Sequence, residues 1–387
     1  MRRWISLLAA LLLGLSPALA RGEGAVAEDL TSRCTYPDAG ASAVARLWDG
    51  SHSRVYAAQD GTLEIEAPAG EKLYGLYLCF SEMPVSWEVQ LPAADGWRRY
   101  QSGDTRFLHV FVPLLGFGRV RVAATDGGSL RLTEICALGP GEVPAQVQRW
   151  QEPPDKCDLL VISAHPDDEL IYMGPLLPYY ALVRGKTVMV AYLTRDNARR
   201  ESELLDGLWH CGITHYPIIG PFEDISTKSL KDMYEHWNRY RVQEYGMRLF
   251  RLLRPEVVVT HAATGEYGHG AHRVAADMAV YAFQHAFLTD DFAAQAKELG
   301  VWEVKKLYLH LWSKNQIIFD WRQSEAVLGG RTPLQVAKEA FRFHQSQQGL
   351  GFRVEDGGIY GNARFGLRLS LVGEDEQRCD LFEHIDN

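Results

Sequence analysis

From Cys157 onward, apolar runs alternate with stretches of helical periodicity, and few folds accept that alternation. "CDLLVISA" is a continuous apolar run followed by a helical stretch to about Arg184. "KTVMVAYLT" is a second run, followed by a helix through "RRESELLDGLWHCG". A long helix, "SLKDMYEHWNRYRVQEYGMRLFRLL", precedes a third run, "EVVVTH", which leads into the helix "HRVAADMAVYAFQHAF". The strand "KKLYLHLWS" and the helix "LQVAKEAFRFHQ" continue the pattern. A strand apolar along its whole length is buried on both faces, as in a parallel sheet covered by helices. The fold expected over residues 156–387 is therefore α/β, with a mainly parallel sheet. In such sheets chemistry gathers beyond the carboxyl ends of the strands.

Residues 34–140 have a different texture. "RVYAAQ", "TLEIEAP", "LYGLYLCF", "SWEVQLP", "FLHVFVP", "RVRVAA" and "LRLTEICAL" are short, partly alternating, and separated by turn signals such as "AADG" and "TDGGS". With no helical periodicity between them, they point to an antiparallel sandwich. Residues 141–155, rich in Pro and Gly, read as a linker.

The first twenty residues, "MRRWISLLAALLLGLSPALA", have a basic start, a short apolar stretch and small residues at Ala18 and Ala20. That is the pattern of a signal peptide cut after Ala20, so a secreted or extracytoplasmic location is expected. Cleavage removes two arginines and no acid, taking the net charge from −9 to −11. An acidic chain without basic runs offers nothing to nucleic acid, and no later segment is apolar enough for a stable membrane span. Export permits disulfides among the six cysteines, with Cys34 and Cys136 a candidate bridge across the first domain. No CxxC is present, which argues against a thiolate metal site. Cys211 reads as a packed residue just before a helix-ending Gly212.

The chemistry lies behind the strands. "SAHPDDEL" places His165, Asp167, Asp168 and Glu169 where the first strand ends and a helix begins. Three adjacent carboxylates repel unless something cationic meets them. Behind the third strand, "HAATGEYGHGAHRV" brings His269 and His272, three apart at a helix start and able to face one way. Two imidazoles and a carboxylate make a three-ligand set that leaves room for water, as in a catalytic zinc site. With His165, Asp168 and His272 as ligands, Asp167 and His269 flank the water. The carboxylate can take its proton, and an imidazolium opposite can stabilise a developing oxyanion. Helix capping by Asp167 and Asp168, or packing of His269 and His272, would explain each motif alone. Their convergence at the ends of one sheet favours the site.

"AHPDDE", followed about 95 residues later by "TH…GEYGHGAH", resembles the PIG-L (LmbE-like) family of zinc-dependent N-deacetylases, whose fold is Rossmann-like. The resemblance covers about residues 157–372. It implies hydrolysis of the acetamide of an N-acetylglucosamine-type glycoside. It implies Zn2+ ligands His165, Asp168 and His272, with other divalent transition metals able to use the same donors. Asp167 takes the role of general base, and His269 that of stabilising the tetrahedral intermediate. Tyr267 and Arg200 match substrate-contacting positions, with Glu203 as Arg200's partner, and "FHQSQ" places His344 in a further motif to which no role is assigned. Two departures touch the pocket: "LTRDNARR" lacks a glycine usual after the threonine, and "HGAH" has Gly and Ala where Pro and Asp are usual. The first domain resembles the discoidin, or coagulation-factor type C, galactose-binding-like jelly rolls through "ARLWDGSHSRVY" and "LRLTEICALG". That resemblance implies a glycan ligand.

Two other classes remain. A glycan-binding protein with a degenerate catalytic domain would lack a ligand or the base, and all five positions are present. A non-haem iron oxygenase also uses two histidines and a carboxylate but has no use for Asp167 and His269.

Overall fold

Eight short strands build the first half of the chain in a computed structural model that describes residues 24–58 and 60–385. The expected signal peptide and its cleavage site lie outside the described residues. The chain divides into two units: Met1–Thr105 with Phe111–Val147, and Arg106–Val110 with Gln148–Asn387.

In the first unit the strands are β1 (Tyr56–Ala58), β2 (Thr62–Glu66), β3 (Leu73–Glu82), β4 (Trp87–Ala93), β5 (Gly96–Ser102), β6 (His109–Phe117, from Phe111 on), β7 (Arg119–Ala124) and β8 (Leu130–Leu138). They form two four-stranded sheets, ordered β1-β8-β3-β6 and β2-β7-β4-β5. The recorded registers in both are antiparallel. Alternation drives the burial: Leu63 and Ile65, Trp87 and Val89, and Val120 and Val122 are all buried. β5 escaped the sequence reading because "GWRRYQS" is exposed or half-exposed throughout and has no apolar side to show. Residues before 34 join the unit, since Val26 and Asp29 form bridges to Glu142 and Leu138. A short helix, α1 (Ala41–Val44), precedes β1. Cys34 and Cys136, expected as a bridge, are both thiols here, as are the other four cysteines.

The second unit carries β9 (Leu159–Ser163), β10 (Val188–Tyr192), β11 (Thr194–Arg195), β12 (Phe222–Glu223), β13 (Val257–Thr260), β14 (Lys306–His310), β15 (Gln316–Ile318) and β16 (Arg364–Ser370). Its main sheet runs β10-β9-β13-β14-β16-β15. The pairings β10–β9, β9–β13 and β13–β14 are parallel, whereas β14–β16 and β16–β15 are antiparallel. A mainly parallel sheet was expected, yet this one ends in an antiparallel edge, and the chain's sheets taken together are largely antiparallel. Strand direction follows from the path of the connecting chain, which a strand's own residues do not encode.

The helices are α2 (Asp168–Met173), α3 (Leu176–Pro178), α4 (Ala198–His210), α5 (Leu230–His236), α6 (Arg239–Leu253), α7 (Gly270–His285), α8 (Ala293–Leu299) and α9 (Pro333–Phe341). The single long helix read from "SLKDMYEHWNRYRVQEYGMRLFRLL" is in fact α5 and α6. Trp237 is extended, and the Asn238 side chain accepts the Arg241 N–H to start the second helix. Leu160, Ile162, Met189, Val258, Leu307 and Leu309 point to one face of the sheet, where α6 and α7 cover them with Phe250, Val274 and Met278 among others. From β9 the chain passes to β10 on one side, and later enters β13 on the other side of β9. The boundary between β9 and β13 is thus a topological switch point, where an open α/β sheet leaves a crevice beyond its strand ends.

Among the described residues, no helix is long and apolar enough to cross a membrane.

Candidate active site

The segment leaving β9 is under strain. Asp167 has φ 125° and ψ −31°, a conformation that costs a non-glycine residue about 1–3 kcal/mol. It occupies the N-cap position of α2, but its side chain makes no capping bond. Its backbone N–H instead donates to Glu169 Oε2 at 2.8 Å. The Asp168 carboxylate folds back, and its Oδ2 accepts the His165 N–H at 3.0 Å and lies 2.7 Å from His165 Nδ1.

The segment after β13 meets it across the switch point. Gly265 has φ +66°, and a Cβ there would lie 2.4 Å from the His269 carbonyl, so only glycine fits. Tyr267 follows at φ +43°. His269 is the N-cap of α7, and its Nδ1 accepts the Ala271 N–H at 3.3 Å, which leaves the ring proton on Nε2. At Gly270 a Cβ would collide with Thr227 Oγ1, and its N–H donates to the Thr227 carbonyl at 2.8 Å. One turn into the helix, His272 Nε2 reaches to 3.1 Å from Asp168 Oδ2.

Behind this layer sits a residue the sequence reading passed over. Glu266 is fully buried, with Oε2 2.8 Å from His272 Nδ1 and 2.9 Å from His261 Nδ1, and Oε1 2.6 Å from His310 Nδ1. Its carboxyl lies well below the usual range: burial opposes ionisation, but the surrounding imidazoles, His261 first, outweigh it. The Ala164 N–H donates to His261 Nε2 at 2.9 Å, so His261 carries its proton on Nδ1 and gives it to Glu266. A carboxylate that fixes the far nitrogen of a histidine is the usual support of a metal-ligating imidazole. His261 directly follows β13 and His310 ends β14, so a search for histidines at strand ends finds both. Glu266 itself carries no such signal.

Asp167, Asp168, His165, His269 and His272 all converge. The imidazole centroids of His165, His269 and His272 lie 4.8–5.3 Å apart. His165 Nε2 and His272 Nε2 are buried and make no hydrogen bond. Burial disfavours charge on both rings, yet Asp168 carries them up, to about 10 for His165 and about 9 for His272. A place that draws positive charge onto two buried imidazoles beside a carboxylate suits a cation in place of those protons. Two overlapping triads could hold a divalent metal, His165 with His269 and His272, and Asp168 with His261 and His272, so the expected ligands His165, Asp168 and His272 are divided between them.

Burial and the adjacent Asp168 charge push the Asp167 carboxyl up to about 7, against the Arg200 guanidinium. Burial, with His165 and His272, pushes His269 down to about 4. His269 is thus a neutral donor, where the sequence reading had an imidazolium.

Arg200 reaches the site from α4, with Nη2 2.5 Å from the Pro166 carbonyl and 3.3 Å from Asp167 Oδ2. Its ion-pair partner is Asp196, at 2.7 Å. Glu203, expected to pair with Arg200, instead accepts from Arg199 Nε at 2.9 Å, since a spacing of four brings side chains into line. Asp224, also missed, stands 3.3 Å from His165 Nε2 and is partly exposed at the mouth. Tyr267 and Tyr172 each lie within 6 Å, ring to ring, of His272. Both also line an adjoining cleft of about 440 Å³, together with Phe352, Arg353, Glu355 and Tyr360.

Residues 160–283 match the model of the family PIG-L: GlcNAc-PI de-N-acetylase. This segment is similar to the PIG-L family. Two curated relatives are 1D-myo-inositol 2-acetamido-2-deoxy-alpha-D-glucopyranoside deacetylases. That of Frankia alni is 33% identical over 38% of this chain and 60% of its own length. That of Frankia casuarinae is 31% identical over 39% of this chain and 57% of its own. The chain thus spans about 60% of the length of these relatives. Among solved structures, the N,N'-diacetylchitobiose deacetylase of Pyrococcus horikoshii is 18% identical, with a TM-score of 0.39 over 51% of this chain and 74% of that one. The matched segment runs from β9 into α7 and so contains the seven residues given a site role from the sequence, though not His344.

Proposed function

We propose that the PIG-L-like domain hydrolyses the acetamide of an N-acetylated amino sugar, releasing acetate and the free amine. One observation carries the reading. Asp168 Oδ2 stands between His165 Nδ1 and His272 Nε2 in a buried cluster, and a carboxyl poised near neutrality and a neutral imidazole donor flank it. The relatives' named substrates, acetamido sugars on inositol, support the substrate class.

A divalent metal, with Zn2+ the first expectation, would be held by His165, Asp168 and His272 and would supply Lewis acidity toward water and the acetamide oxygen. Asp167 accepts the proton of the attacking water at a carboxylate oxygen as the water's own oxygen bonds to the acetamide carbon. Negative charge growing on the acetamide oxygen meets the Nε2–H of His269, which donates without giving up its proton. Asp167 then returns its proton to the nitrogen as the C–N bond breaks. Arg200 holds Asp167 through a side-chain contact and the Pro166 carbonyl, and Asp224 and Tyr267 stand where sugar hydroxyls would meet them. The cleft beyond Tyr267 receives the aglycone.

Acetate release from N-acetylglucosamine and N-acetylgalactosamine glycosides, with and without a chelator, tests the reading. Chelator-sensitive release that Asp167→Asn abolishes is the expected result. No release from metal-replete protein on any such glycoside would overturn it.

In the same proposal the protein acts outside the cytoplasm and its first unit is a galactose-binding-like module that holds glycan. These two points rest on the first twenty residues and on the segments "ARLWDGSHSRVY" and "LRLTEICALG". N-terminal sequencing of exported protein should return Arg21; Met1 would remove the first. A glycan array probed with the full chain tests the second, and retention on no sugar would remove it.

A further inference from the structure

The motif around His344 has no part in the chemistry above, yet it touches both carboxylates that stand behind the reacting groups. His344 is fully buried three residues past the end of α9, and neither ring nitrogen makes a hydrogen bond. Its Nε2 lies 3.4 Å from Glu169 Oε1, itself buried and without a hydrogen bond. The other oxygen of the same carboxylate accepts the Asp167 N–H. Two residues on, the Ser346 N–H donates to Glu203 Oε1 at 3.0 Å, and its hydroxyl bonds to Glu203 Oε2. Glu203 lies one turn along α4 from Arg200.

We infer that the segment His344–Ser346 is a latch that sets the distance between Asp167 and Arg200, with His344 positioning the first through Glu169 and Ser346 the second through Glu203. Asp167 holds a backbone conformation that an unsupported chain would leave, and its N–H to Glu169 is the bond that keeps it there. A carboxylate with one oxygen committed and the other facing nothing would be free to turn, and His344, with the buried Tyr192 hydroxyl, faces this one. Buried polar groups left partly unpaired have a high energetic cost, so a chain that retains them gains something by their placement. On α4, Ser346 fixes Glu203, which also holds Arg199, and so sets the rotation of the helix turn from which Arg200 reaches Pro166 and Asp167. The two arms of the latch thus act on different parts of the reaction. His344 governs the group that moves the proton, and Ser346 governs Arg200, which braces that group and matches a substrate-contacting position.

This rests on the deacetylase reading, and the full metal-replete chain tests both. His344→Leu should lower kcat about tenfold or more, with KM within about twofold and metal content unchanged. His344→Gln, whose amide can place a donor near the lost Nε2, should recover most of that loss. Ser346→Ala should raise KM several-fold and leave kcat within about twofold. Thermal unfolding of each variant separates a folding defect from a kinetic one, and the two conservative variants carry the test if His344→Leu does not fold. The latch is overturned if His344→Gln is as poor as His344→Leu, if the variants lose metal, or if both arms change kcat and KM alike. Asp167→Asn keeps the two readings apart. Inactive Asp167→Asn beside normal His344→Leu overturns the latch alone, while active Asp167→Asn overturns the base that the latch was to hold.

Discussion

β14 carries buried polar groups at both of its ends, and the two ends differ in kind. At its start, the Lys306 ammonium bonds to Asp375 Oδ1 and to the Tyr308 hydroxyl, which donates to Asp375 Oδ2 at 2.7 Å. Asn315 ties the Asp375 backbone in both directions, at 2.9 Å each way. None of these side chains has an unpaired buried atom. At the carboxyl end His310 joins Glu266, and around that carboxylate the sheet gathers His165 and His272, whose Nε2 atoms face carboxylates without making a well-formed hydrogen bond, and two residues at positive φ, Asp167 and Tyr267. A saturated cluster serves the fold. An unsaturated, strained one is kept for chemistry, because a folded chain otherwise pairs or excludes such groups.

The contrast breaks most visibly at the metal. Asp168→Asn and His272→Ala should each lose bound metal by elemental analysis and, with it, essentially all acetate release. Lys306→Met, at the other end, should keep both. Metal retention in either ligand variant would leave the donor set without its central members. Next in size, Asp167→Asn should keep a full equivalent of metal while kcat falls by about a hundredfold to ten-thousandfold. His269→Ala should likewise stay metal-replete and lose about a hundredfold to a thousandfold. If Asp167→Asn loses metal and Asp168→Asn keeps it, the two acids have exchanged roles.

Much of the active end was legible because its elements are local. HxxD behind one apolar strand and HxxH behind another are read directly, and the strand–helix alternation says the two ends lie on one side of a sheet. What escaped depends on tertiary partners. Glu266 is one acid among many until three imidazoles close on it, and Asp224 sits in a polar stretch without periodicity. Glu203 lies three residues from Arg200, near enough to suggest a pair, but Arg199 at a spacing of four takes it. The antiparallel edge of β16 and β15 was hidden for the same reason, since β16 is as apolar in part as its parallel neighbours.

At the saturated end the expected effect is on stability alone. Lys306→Met leaves Asp375 buried without its counter-charge, and breaking such a pair costs about 3–5 kcal/mol. Replacing both partners, Lys306→Met with Asp375→Leu, should recover most of it, because the pair's own desolvation cost vanishes as well. Urea unfolding measures both. If the single variant is as stable as the native chain, the cluster does not serve the fold.

The smallest effect expected has the opposite sign, and it sharpens the contrast most. Burial and the neighbouring Asp168 raise the Asp167 carboxyl from its ordinary 3.8 to about 7 in the folded chain. Below about pH 4 the folded and unfolded chains both hold this proton, and Asp167 favours neither. Between about 4 and 7 the unfolded chain has released the proton while the folded chain keeps it, so stability falls as pH rises through that window. Above 7 the folded chain carries the full cost of a buried carboxylate. Asn at this position cannot ionise, and Asp167→Asn therefore removes that cost. In metal-free protein at pH 8 the variant should be the more stable by roughly 1–3 kcal/mol, and at pH 4 the two should converge. Unfolding curves at the two pH values, with chelator present, decide it. A variant less stable at pH 8 would make Asp167 a structural acid like Asp375, and the two ends of the sheet would then be alike. A variant that is more stable and inactive would show that this end of the sheet gives up stability for reactivity.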